Sequence, residues 1–77
     1  MSYLTFNKQP REKGRKTDWW LIVSANSAQT LGRVMFYPHW RKFVFESTPG
    51  CVFDADCLQE IAIFTRAQTG YWRADHS

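Results

Sequence analysis

Apolar positions along the chain fall into short runs that alternate, followed by one run of helical period. From Asp18 to Ser24 the run Trp19-Trp20-Leu21-Ile22-Val23 is β-branched and aromatic, and too short for a buried helix, so it predicts a strand over 18–24. Side chains alternate along a strand, which puts Trp19, Leu21 and Val23 on one face and Trp20 and Ile22 on the other. Both faces are apolar, as in a central strand. The small, polar stretch 25–30 makes a connection, residues 31–37 predict a second strand, Pro38-His39 a turn, and 40–47 the returning partner. Val34 with Phe36 and Phe43 with Phe45 are then the inward pairs, leaving Arg33, Met35, Tyr37 and Lys42 on the opposite face.

Thr48-Pro49-Gly50 ends the strand region. Beyond it Asp54 or Asp56 can cap a helix, Asp56 with Gln59 has capping-box spacing, and Gly70 sits where a helix would stop, so the helix is expected over about 55–69. Cys57 or Leu58, Ile61, Phe64 and Thr65 recur at helical spacing and would face the sheet, with Ile63 outside that stripe. After the expected stop, Tyr71-Trp72-Arg73 either folds back or makes a contact, and residues 74–77 fray. Near the start, Tyr3-Leu4-Thr5-Phe6 is β-prone and would be a short edge strand, and 7–17, with Pro10, Gly14 and a charge cluster, a flexible basic loop. The expected architecture is a single small α+β domain over 1–77: a three- to four-stranded antiparallel meander packed by one C-terminal helix.

Composition sharpens this picture. In 77 residues a core must be efficient, and 17% aromatic content, with four Trp and six Phe, supplies it without a metal or disulfide staple. The two cysteines, Cys51 and Cys57, read as reduced thiols. No apolar stretch approaches the roughly 18 residues of a membrane span and no secretory leader pattern opens the chain, so a soluble, cytoplasmic protein with no membrane partner is expected.

The net charge of +3 is unevenly placed. Residues 1–17 hold five cations, Lys8, Arg11, Lys13, Arg15 and Lys16, against Glu12, a local +4; residues 18–77 hold five cations against six acids, a local −1.

The sequence from Trp20 to Phe64 contains Leu31-Gly32-Arg33-Val34-Met35-Phe36-Tyr37, then Trp40-Arg41-Lys42-Phe43-Val44-Phe45, then Cys57-Leu58-Gln59-Glu60-Ile61-Ala62-Ile63-Phe64. This pattern resembles a family of short bacteriophage and prophage proteins of no established activity and covers about half the chain. The resemblance implies a viral or mobile-element accessory protein acting inside a bacterial cell.

Candidate chemistry is sparse. Cys51, Cys57, His39 and His76 supply four metal-ligand types but no pair at zinc spacing. A Cys–His dyad lacks an orienting partner, although Cys57 in the first helical turn would gain acidity from the helix dipole. Asp54, Asp56 and Glu60 stand where helix starts collect acids for capping. No phosphate loop or nucleophile elbow occurs, so neither enzyme activity nor a cofactor is expected. Two binding readings remain. Tyr37, His39, Trp40, Arg41 and Lys42 gather aromatic and cationic groups in one turn and suit a protein partner, with modulation of a host or viral protein complex, including counter-defence, as the role. Alternatively Lys8, Arg11, Lys13, Arg15 and Lys16 contact DNA or RNA phosphates, with Trp40 as a stacking platform. A third outcome is a homodimer through a free sheet edge or Ile63.

Overall fold

The structure, a computed structural model, describes residues 4–11, 13–14 and 16–76, the His76 side chain excepted. Four strands, β1 (Leu4–Gln9), β2 (Trp19–Ser24), β3 (Thr30–Tyr37) and β4 (Lys42–Ser47), form one antiparallel sheet in the order β1-β2-β3-β4, and α1 (Ala55–His76) follows. The meander and its helix are therefore those the sequence pattern predicts, with the aromatic β2 in the interior of the sheet. Tyr3, placed by its sequence in the first strand, lies outside the described residues.

Register fixes which side chains meet the helix. Phe6 pairs with Ile22, Trp20 with Val34, Val34 with Phe45, and Phe36 with Phe43. All of these stand on one face, because pairing preserves facing across a sheet. Leu4, Ile22, Val34, Phe43 and Ile61 form the buried core, with Trp20, Phe36, Phe45, Phe64 and Trp72 packed around it. Full burial of Ile22 and Val34 contributes about 1.5–3 kcal/mol each. On α1 the sheet-facing stripe runs through Cys57, Ile61, Phe64 and Trp72. Leu58 is 50% exposed and Ile63 61%, which settles the choice between Cys57 and Leu58.

Three sequence expectations need correction. Residues 7–9 are not loop: Asn7, Lys8 and Gln9 continue β1 and pair with Leu21, Trp20 and Trp19. The pairing available along the full length of β2 outweighs the weak strand preference of this polar stretch. The helix does not stop at Gly70 but runs 22 residues to His76. An interior glycine costs a helix about 1 kcal/mol, and here the next turn recovers it, since Trp72 packs on Phe36 with ring centroids 4.7 Å apart. The residues expected to fold back or fray, 71–76, are thus the last turns of α1. The strand expected from residue 40 begins at Lys42, because Trp40 and Arg41 belong to the turn.

The helix start resolves in favour of Asp54, whose carboxylate oxygen accepts from the Cys57 backbone N–H at 2.8 Å while Leu58 N–H donates to the Asp54 carbonyl. Asp56 lies inside the first turn rather than at the cap. At the other end of α1, the Phe43 N–H donates to the buried Thr69 hydroxyl at 2.9 Å, and that hydroxyl donates to the Thr65 carbonyl. This ties the start of edge strand β4 to the helix and satisfies a donor that the sheet leaves unpaired.

Two glycines predict opposite responses. A Cβ at Gly32 would stand 2.5 Å from the Glu46 carbonyl oxygen and 2.6 Å from the Phe45 ring, so Gly32→Ala should destabilise by about 2 kcal/mol. Gly70 is helical with open space around it, so Gly70→Ala should stabilise by about 0.5–1 kcal/mol. Thermal unfolding followed by circular dichroism reads both; a fall in midpoint for Gly70→Ala would mean that the helix ends there after all.

Candidate functional site

The β3–β4 hairpin closes on the pair Tyr37–Lys42, leaving Pro38, His39, Trp40 and Arg41 as the turn. Pro38 presets the entering backbone, and the Trp40 and Arg41 N–H groups both donate to the Tyr37 carbonyl, at 3.2 and 2.9 Å. Arg41 takes the left-handed conformation, φ 54°, that lets the chain rejoin the ladder.

Of the five turn residues singled out in the sequence, four are brought together. Trp40, 62% exposed, stands edge-on to the Tyr37 ring at 4.8 Å, the Lys42 ammonium lies 5.9 Å from the Trp40 ring, and His39 packs beside Tyr37 at 5.5 Å. A large apolar side chain is thereby held in one place while remaining open to solvent. The Arg41 side chain is exposed and, among the described residues, makes no hydrogen bond, ion pair or ring contact.

The hairpin is continuous with two further surfaces. Beneath it a cavity of about 590 Å³ opens between Met35, Tyr37 and Pro38 on one side and Phe36 and Trp72 on the other, with Lys16 at its rim. Trp72 reaches it only because α1 passes Gly70. The second surface is the face of the sheet away from α1. Trp19, Leu21, Val23, Met35 and Val44 lie half-buried on it, with the Arg33–Glu46 ion pair at 2.7 Å among them. Arg33, Met35, Tyr37 and Lys42 share this face by alternation and register, as their sequence positions predict.

The basic loop behaves differently. Asp18 accepts from Arg11 Nε at 2.8 Å and pairs with Lys8 at 3.3 Å, so one carboxylate holds two of the five candidate phosphate contacts. The Trp19 indole N–H donates to the Pro10 carbonyl and fixes the loop's base. Lys13 and Lys16 are exposed and form no ion pair among the described residues; Arg15 lies outside them.

Neither cysteine gathers a reactive constellation. The Asp54 carboxylate that accepts from the Cys57 thiol raises its pKa above the ordinary thiol value, and burial adds to that. The sequence reading expected the helix dipole to make Cys57 more acidic; the capping carboxylate reverses the sign. Cys51 and Cys57 are free thiols. Among the described residues no three of His, Cys, Asp and Glu come close enough to hold a metal ion, and no helix is long and apolar enough to cross a membrane.

Comparison with protein-family models, curated proteins and solved structures finds no match to this chain.

Acid should act through the two depressed carboxylates. Hydrogen bonding from Arg11 holds Asp18 below the usual aspartate range, and the Cys57 N–H does the same for Asp54. A carboxyl with a lowered folded pKa stabilises fully above its unfolded value of 3.8 and loses that contribution as pH falls through the folded value. Wild-type protein should therefore lose stability more steeply than the Asp18→Asn/Asp54→Asn variant as pH falls below 3.8, as read by urea unfolding at each pH; parallel slopes would contradict the assignment.

Proposed function

We propose that this chain is a non-enzymatic accessory binding module of the phage type that its sequence pattern resembles, and that it engages a host or viral protein complex through the β3–β4 hairpin. The observation that carries the reading is Trp40, 62% exposed yet fixed by Tyr37 and Lys42. Exposed aromatics held in a single conformation lose little entropy when buried by a partner, the property of interface hot spots. The half-buried face that adjoins the hairpin supports a protein partner, since Leu21, Val23, Met35 and Val44 offer apolar area beside Trp19. A nucleic-acid role for the 8–16 loop is weakened by Asp18, which pairs with both Lys8 and Arg11 and cancels one of their two charges where a continuous phosphate track would need them. In this reading the module acts stoichiometrically, altering the complex it joins, and a counter-defence role is the version suggested by the resemblance to phage proteins.

The test is affinity capture from bacterial lysate at moderate and high salt, with and without nuclease, using wild type, Trp40→Ala and Lys13→Gln/Lys16→Gln. Expected is a nuclease-resistant protein that the lysine variant retains and that Trp40→Ala binds at least about thirtyfold more weakly, the loss typical of a central aromatic anchor. Capture that vanishes with nuclease or with the lysine variant, or that survives Trp40→Ala unchanged, overturns the proposal.

A further inference from the structure

Besides the basic loop, the fold assembles a second group of cations that are scattered in the sequence. Lys42 at the start of β4 and Arg66 and Arg73 on α1 line a cleft of about 320 Å³, together with Phe43, Thr65 and Thr69. Arg66 and Arg73 are seven residues apart, two helical turns, and so project from the same side of α1. Lys42 is brought to them because its neighbour Phe43 donates its backbone N–H to Thr69 at 2.9 Å. No carboxylate lines the cleft, and none of the three cations has an ion-pair partner among the described residues. The wall also holds the Thr65 hydroxyl, which is shut off from solvent without a hydrogen-bond partner. Lys8 and Arg11 contrast with this arrangement, since both meet Asp18.

Arg66 and Arg73, like charges on the wall of one small concavity, lower their energy when an anion enters. We propose that this cleft binds a compact cluster of carboxylates on the same protein partner that Trp40 anchors, and the assignment to a partner protein rests on that reading of the hairpin. Lys42 belongs to both parts, lying over the Trp40 ring and lining the cleft. The surface therefore fits an apolar anchor with acidic side chains beside it. A nucleic acid fits less well. The described acids of α1, Asp54, Asp56 and Glu60 toward its start and Asp75 near its end, would repel an extended polyanion.

The experiment is a titration of the full chain at low salt with hexaglutamate peptide and, separately, with hexathymidylate, observing the arginine Nε–H and Trp40 indole N–H signals by NMR. Hexaglutamate is expected to shift the Arg66 and Arg73 signals, with affinity that falls as salt rises and is at least about fivefold weaker in Arg66→Gln/Arg73→Gln. The proposal is overturned if hexaglutamate leaves those signals unmoved, if the double variant binds it equally well, or if hexathymidylate of matched length binds there more tightly. Because the probe needs no partner, failure of the lysate capture would leave this result standing. Conversely, a partner held through Trp40 with undiminished affinity in the double variant would overturn the acidic assignment alone.

Discussion

Phe64 of α1 stacks on Phe6 with ring centroids 4.1 Å apart and meets Trp20 edge-on at 5.3 Å, while Trp20 in turn packs against Phe43 at 5.9 Å. One helical side chain thus touches the outer strand β1 and the inner strand β2, and through Trp20 reaches β4. Everything else in the molecule depends on this aromatic contact, because among the described residues α1 is the only element that covers the sheet. A four-stranded antiparallel sheet without such a cover would expose Ile22 and Val34, the two side chains that are now completely buried. Placing the helix on this face also commits the other face to remain open, and with it the hairpin end where Tyr37, Trp40 and Lys42 meet.

The same contact decides where the helix can end. Its axis is set by Cys57, Ile61 and Phe64, and the side chain about two turns beyond Phe64 along that line falls on the hairpin end of β3. Trp72 occupies this place against Phe36, one residue before the hairpin pair begins at Tyr37. Thr69, one turn earlier, takes the Phe43 N–H. The last turns of α1 are therefore part of the hairpin end of the molecule: Trp72 lines the cavity under the hairpin, and Arg66 and Arg73 line a cleft with Lys42.

Strand alternation was legible because the apolar runs are short and bounded by turn residues. The inward pairs Val34 with Phe36 and Phe43 with Phe45, and the outward set Arg33, Met35, Tyr37 and Lys42, follow from period two alone. Cross-strand support was not legible. Asn7-Lys8-Gln9 has no strand signature of its own and becomes strand because β2 offers it partners. Gly70 misled for a related reason, since the local signal for a stop is real but smaller than the packing of Trp72 that lies beyond it. The hairpin residues could be found because they are contiguous. The cation cleft could not, since its members come from positions 42, 66 and 73 and only the β4–α1 contact makes them neighbours.

Charge counting along the chain likewise misses what the fold brings together. The local excess of +4 in residues 1–17 is partly cancelled in space by Asp18, which belongs by sequence to the acidic remainder. That remainder, net −1, nevertheless brings Lys42, Arg66 and Arg73 to the lining of one cleft, while Asp54 is drawn to the helix start and Glu46 is paired across strands with Arg33. Electrostatic potential depends on separation through space, not along the chain, and falls off over about 8–10 Å at moderate salt. A partner drawn by charge would then be steered to the hairpin and its cleft, where Trp40 stands ready to be buried.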